Sequence, residues 1–320
     1  MNESINRQRH LVSRRATLMS VIAAGMIGCG GTDDPAAMPD AEVTAFWQGY
    51  FSAKSGRDAD KISTYFGADV VYEDNSLRRR MTGNNAYIHD QWQALFSSVA
   101  PGPRSLLDAA HGTMSGAAVE LTNEAGLFTS VPSQGLSIVD LRDGKIVRIT
   151  DYWDSAQISE AEWTGLQAGF AMNPAWQATD TGNHPGTASA TAGLQTLVEQ
   201  FFVAYSAGSA ASSLAFFDAN ATYVNKPLGI EAQGTAAIAK VLNATLNLLP
   251  DGLGAHLTHV VGDEFGGGVE WMASAAAPGA VLRGATVIDL TNSKISNMRV
   301  FFDSRLLTLE QKQRIADALR

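Results

Sequence analysis

The chain is poor in cysteine, in charge and in long apolar runs. Cys29 is its one thiol in 320 residues, so no intrachain disulfide can form and any domain must fold by packing alone. Charged residues make up 17% of the sequence, with 23 Lys plus Arg against 32 Asp plus Glu, a net charge of -9 and a pI near 5.1. Nucleic-acid affinity comes mainly from clustered cations, so no nucleic-acid partner is expected. The apolar run near the start, Leu18 to Gly28, has 11 residues, against about 20 for a membrane span. A phosphate-cradling glycine loop, a GxSxG elbow and a zinc-binding HExxH are also missing, and His256 and His259 are spaced to opposite faces of a strand. No metal and no cofactor is therefore expected. What is present is a 45% hydrophobic composition, ordinary for a globular core, at a length that predicts about two domains.

The first 28 residues differ in kind from the rest. Arg7, Arg9, Arg14 and Arg15 precede the apolar run, which has signal-peptide length. Ser13-Arg14-Arg15-Ala16-Thr17-Leu18-Met19 resembles a twin-arginine translocation signal, and Met26-Ile27-Gly28-Cys29 resembles a bacterial lipobox. The resemblance implies export to the cell envelope or periplasm and a lipid on Cys29, with residues 29–39 as a tether. Four of the 23 basic and one of the 32 acidic residues lie in 1–28, leaving 19 against 31. The mature surface thus offers no polybasic patch, and the membrane is met only through the lipid.

Self-comparison gives the strongest signal in the remainder. Tyr65-Phe66-Gly67-Ala68-Asp69-Val70-Val71-Tyr72-Glu73-Asp74 recurs as Phe216-Phe217-Asp218-Ala219-Asn220-Ala221-Thr222-Tyr223-Val224-Asn225. Ile138 to Leu141 recurs as Val287 to Leu290, and Tyr152-Trp153-Asp154-Ser155 as Phe301-Phe302-Asp303-Ser304. The two halves are duplicates, over 40–169 and 192–320, with a linker at 170–191.

Each copy opens with apolar residues at helical spacing: Val43, Phe46, Trp47, Tyr50 and Phe51, then Leu197, Val198, Phe201, Phe202 and Tyr205. A short helix, a strand through Val70 to Tyr72 and a helix after Gly83 (Gly234 in the second copy) follow. Strands are then expected at Ala117 to Leu121, Gly135 to Leu141 and Ile146 to Tyr152, with a hairpin turn at Arg142-Asp143-Gly144. Ser159 with Glu162, and Thr308 with Gln311, have capping-box spacing before a last helix. Gly266-Gly267-Gly268 reads as a flexible turn. This order predicts an α+β fold: two tandem cone-shaped domains, each with helices packed on a curved, mainly antiparallel sheet.

The same order, with Val269-Glu270-Trp271 and the Asp143-Gly144-Lys145-Ile146…Asp151-Tyr152-Trp153-Asp154 stretch, resembles the SnoaL-like, nuclear transport factor 2-like superfamily, twice. The resemblance implies a conical cavity between helices and sheet, which among relatives serves isomerases, cyclases, epoxide hydrolases and non-catalytic binders. The first copy resembles a ketosteroid isomerase in one spacing, with Tyr50 at the place of the oxyanion tyrosine and Asp74 at that of the base. Ser137 falls where that family has a protonated aspartate, and the substitution weakens a steroid-type reading. Asp151 stands where limonene epoxide hydrolase-like relatives carry an acid, with Glu120 and Thr122 near the places of their missing partners.

In the second copy Tyr50 becomes Phe201 and Asp74 becomes Asn225, so chemistry is expected in the first. The leading expectation is a cofactor-independent isomerase or cyclase acting on a small apolar ligand, with Asp74 as base, Tyr50 as oxyanion donor, and Phe46, Ser137 and Trp153 against the substrate. A non-catalytic hydrophobic-ligand-binding or interaction lipoprotein, and an epoxide-opening enzyme using Asp151, are the alternatives. By analogy, the two domains are expected to form an intrachain pseudo-dimer. Asp154 and Asp303, kept in both copies, are read as structural.

Overall fold

A computed structural model describes residues 41–83, 85–169, 189–273 and 282–320, except for the side chains of 82–87. The expected signal peptide, the tether with Cys29, and residues 170–188 of the expected linker lie outside the described residues. The first domain runs α1 (Ala41–Gly56), α2 (Ala59–Ser63), β1 (Phe66–Asp74), β2 (Arg79–Gly83), α3 (Asn85–Ser98), β3 (Ser105–Thr113), β4 (Gly116–Asn123), β5 (Ser133–Arg142), β6 (Lys145–Trp153) and α4 (Glu160–Gly169). The second repeats it: α5 (Ala192–Ser206), α6 (Ala210–Leu214), β7 (Phe217–Asn225), β8 (Ile230–Gln233), α7 (Thr235–Thr245), β9 (His256–Asp263), β10 (Gly266–Met272), β11 (Arg283–Thr291), β12 (Lys294–Phe302) and α8 (Leu309–Ala318). Each domain has one six-stranded sheet, ordered β2-β1-β6-β5-β4-β3 and β8-β7-β12-β11-β10-β9. The β1–β6 and β7–β12 pairs are parallel and the other neighbours antiparallel.

Burial on both faces of the sheets explains their composition. In β4, Ala117 and Val119 face the helices, while Ala118 between them faces the other domain. A strand covered on both sides has no solvent face on which to alternate polar residues. The helical side of the first sheet packs Val43, Trp47, Tyr50 and Phe51 of α1 and Ile88, Trp92 and Phe96 of α3. The opposite faces of the two sheets meet through Ala118, Leu136, Ile138 and Tyr152 on one side and Val261, Ala285, Val287 and Phe301 on the other.

Among the local expectations, the Gly266 to Gly268 turn and the Ser159–Glu162 capping box need correction, and the others hold. The β5–β6 hairpin turns at Asp143 and Gly144, both at positive φ, as a two-residue turn of this twist requires. Gly266 to Gly268, however, are not a flexible turn: they begin β10 and are buried. A Cβ on Gly267 would stand 1.9 Å from the Val261 carbonyl oxygen, and one on Gly268 2.3 Å from Ile138 Cδ1, so the glycines permit close approach within and between sheets. Ser159 accepts the Glu162 N–H at 3.2 Å, but the Glu162 carboxylate turns to Ser130 and leaves that capping box half made. Thr308 and Gln311 complete theirs. Asp154 and Asp303 each accept from the serine of the opposite domain, Ser304 and Ser155, at 2.9 Å.

Candidate functional site

The parallel register sets Asp74 at the end of β1 directly beside Asp151 on β6. Neighbours in register on adjacent strands share a face, so two carboxylates open onto the same cavity between the sheet, α1, α3 and α4. The cavity has a volume of about 80 Å³, several times what one water needs. Its wall is mostly apolar, with Leu77, Met81, Trp92, Leu95, Phe128 and Leu166 among the lining residues. The polar groups on it include Asp74, Asp151, Tyr72 and Lys54. α4 is anchored over the β1–β2 turn: Trp163 Nε1 donates to the Ser76 carbonyl at 2.9 Å and Gln167 Nε2 to that of Leu77 at 3.0 Å.

The two carboxylates have different surroundings. Asp151 accepts from the Tyr72 hydroxyl on one oxygen and from the Ser137 hydroxyl on the other, both at 2.5 Å. Asp74 accepts the Leu77 backbone N–H at 2.8 Å and the Trp153 indole N–H at 3.1–3.2 Å. Burial, then the field of Asp151, pushes Asp74 up to about 7, against the opposing pull of the Leu77 and Trp153 hydrogen bonds. A carboxyl at that value exchanges a proton readily near neutral pH. Burial and Asp151 push the phenols of Tyr72 and Tyr50 upward, keeping both protonated.

Of the residues expected from sequence, Asp74, Asp151 and Trp153 line the cavity. Ser137 stands one layer back, holding Asp151. Tyr50 is buried in the α1 core among Trp47, Phe51, Tyr65 and Phe66, and is not among the lining residues; the phenol on the wall is Tyr72. Phe46 likewise packs edge-on against Trp47 and Tyr65, away from the lining. The structure therefore brings the two aspartates and the indole together and leaves Tyr50 and Phe46 behind the wall.

Sequence reasoning missed Lys54. It is 5% exposed and lines the cavity, with Nζ 5.3–5.7 Å from the ring centres of Phe51, Trp92 and Phe128. Burial lowers its pKa while the fields of Asp151 and Asp74 work against that. The signal was available: Lys54 lies four residues after Tyr50 on the buried stripe of α1, where a solvent-seeking side chain has no place.

In the second domain the corresponding positions are Phe201, Tyr205, Asn225 and, by register, Val300. Tyr205 fills the place of Lys54 and donates to buried Asp251 at 3.1 Å. Asn225 keeps the turn by accepting the Leu228 N–H at 3.3 Å. The carboxylate pair and the amine occur together in the first domain only.

No family model and no curated protein matches the chain. Solved structures similar to it include proteins described as nuclear transport factor 2-like and ketosteroid isomerase-like. An NTF-2 like protein of unknown function from Burkholderia xenovorans LB400 is 19% identical over 37% of this chain and 86% of its own, at a TM-score of 0.30. A hypothetical protein with a ketosteroid isomerase-like fold from Catenulispora acidiphila DSM 44928, in complex with trimethylamine, is 17% identical over 38% of this chain and 91% of its own, at 0.32. An NTF2-like protein of unknown function from Cytophaga hutchinsonii ATCC 33406 is 8% identical over 36% and 92%, at 0.30. Likeness at this level adds nothing about chemistry.

Proposed function

We propose that the first domain is a cofactor-independent acid–base catalyst of the isomerase or cyclase type, moving a proton at the carbon next to the carbonyl of a small apolar compound. The supporting observation is the unequal aspartate pair. Asp151 has both oxygens held by hydroxyls; Asp74 accepts, among the described residues, only the Leu77 and Trp153 N–H groups and is pushed up to about 7 on an apolar wall. Asp74 takes the proton. Its indole partner Trp153 holds the carboxylate in place, and the apolar wall excludes water from the developing enolate. With Tyr50 behind the wall, Lys54, an N–H donor on the same wall, is available to polarise the carbonyl oxygen. The epoxide-opening reading is less well supported, because it needs Asp151 to attack or to activate water while both its oxygens already accept.

Solvent-deuterium exchange into cyclohexanone, followed by NMR, tests this reading. The wild-type chain should accelerate exchange over buffer, with a rising limb that inflects near pH 7. Asp74→Asn should lose about 100-fold or more, the usual contribution of a positioned base. Binding of the ketone without exchange would leave the domain a hydrophobic-ligand binder.

Two further parts of the reading concern address and assembly. We infer export and a lipid on Cys29, from the Arg14-Arg15 pair and the Met26-Ile27-Gly28-Cys29 stretch; labelled fatty acid should enter the wild-type chain and not Cys29→Ser. We also read the two domains as an intrachain counterpart of a dimer. Arg148 of the first pairs with Glu270 of the second, and Arg299 of the second with Glu120 of the first, which supports it.

A further inference from the structure

Lys54 is costly to the fold. A buried lysine gives up hydration of its ammonium, and among the described residues no carboxylate reaches ion-pair distance of Nζ, which faces three aromatic rings instead. Packing does not demand an amine there, since the duplicate domain fills the equivalent place with Tyr205 at full burial. The amine opens onto the same cavity as Asp74 and Asp151. A desolvated lysine in an apolar pocket is an activated nucleophile toward carbonyl carbon.

We propose that Lys54 forms an imine with a small ketone or aldehyde in this cavity, and that Asp74 serves that covalent intermediate as acid and then as base. The inference deepens the acid–base reading of Asp74 and rests on it. The neutral amine adds to the carbonyl carbon, forming a C–N bond as the carbonyl π pair moves to oxygen. That oxygen takes up the proton released by nitrogen. Asp74 in its acid form then gives a second proton to the hydroxyl, the C–O bond breaks, water leaves, and the nitrogen lone pair closes the protonated C=N bond. The Asp74 carboxylate so produced removes the neighbouring C–H proton, and those electrons flow into the iminium to give an enamine. Reprotonation at carbon and addition of water reverse the sequence and free the amine. No oxidant or reductant is consumed.

This assignment explains why an amine and a carboxyl titrating near neutrality share one small apolar space. Burial lowers the lysine pKa, so the neutral nucleophile is available at pH values where surface lysines remain ammonium.

The experiment treats the full chain with cyclohexanone and sodium cyanoborohydride at neutral pH, followed by intact mass and peptide mapping. The expected result is one cyclohexyl group on the peptide carrying Lys54, exceeding that on Lys61, Lys145, Lys226 or any other lysine by about tenfold or more. Deuterium exchange is measured on the same protein. Lys54→Arg and Lys54→Met, checked for folding by circular dichroism, should lose both the label and the exchange. Asp74-dependent exchange with no label at Lys54 would overturn the imine and leave the acid–base reading standing. A label at Lys54 with no exchange would overturn the proton transfer by Asp74, and with it the second half of this proposal. Neither label nor exchange would overturn both.

Discussion

Asp74 and Asn225 hold the same kind of turn, each offering a side-chain oxygen to the backbone N–H three residues on. An amide suffices for that turn, so the titrating carboxyl in the first domain serves something else. Asp74→Asn should therefore keep the fold while losing proton transfer. Its stability effect has a definite sign. The folded-state value of about 7 lies above the ordinary aspartate value of 3.8, so the folded state holds its proton more tightly, and the wild-type chain loses stability as pH rises between them. The melting temperature of Asp74→Asn should match wild type near pH 4 and exceed it at pH 8, as read by thermal melts across that range. Lys54→Met makes the converse case. The folded-state pKa is lowered, so the wild-type chain gains stability as pH rises toward the unfolded lysine value. Methionine should stabilise the chain most at the acid end and remove that slope. A gain in stability with loss of function is what a residue retained for chemistry leaves behind.

At the scale of elements, Gly267 is the informative position. It pairs with Gly262 across β9 and β10, and the Val261 carbonyl oxygen occupies the space of its missing Cβ. Backbone cannot yield as a side-chain tip can, so Gly267→Ala should cost about 3 kcal/mol in urea unfolding, the upper part of the overpacking range. Thr308→Ala, which removes one side of a complete capping box, should cost only about 1 kcal/mol. The same local physics decides what the sequence revealed. α1 was legible from its helical period, and β1, β5 and β6 from their recurrence in the duplicate. β2 was not read as a strand, since Arg79–Gly83 is a short polar edge with no alternation. β3 escaped because its register slips between Leu107 and Ala109, breaking the period of two. The glycines of β10 read as a turn because close approach between sheets is a tertiary demand with no local signature. At the site, Asp74, Asp151 and Trp153 were found through the duplicate and the family pattern. Lys54 was hidden by a helical stripe whose other members were ordinary core, and the placement of Tyr50 in the α1 core, off the cavity lining, depends on packing that spacing does not encode.

At the scale of the whole molecule, the interface between sheets is built twice by the internal symmetry. Arg148 meets Glu270 at 2.5 Å and faces Asp140, which also accepts from His259 at 2.8 Å. Arg299 meets Glu120 and Asp289 at 2.8 Å, and His111 bridges those same two acids at 3.0–3.1 Å. Each cluster draws partners from both domains. Arg148→Ala alone would take the arginine from buried Glu270, which keeps the Tyr152 hydroxyl at 2.7 Å, and should cost about 3 kcal/mol, the lower end for a broken buried pair, whereas Arg148→Met with Glu270→Met should recover most of that in denaturant unfolding. The second cluster makes the assembly sensitive to alkali. Burial opposes a charge on His111, yet Asp289 and Glu120 outweigh it and Arg299 together and hold the imidazole up at about 9. A folded-state value above the ordinary histidine value of 6.5 means that the contribution is complete below that pH and disappears as pH climbs through about 9. His111→Gln should therefore melt several degrees below wild type at about pH 6, and the two curves should converge by about pH 10. A gap between them that stays constant across this range would show that His111 acts through packing and not through its charge, and would remove the bridge from the account of how the two domains hold together.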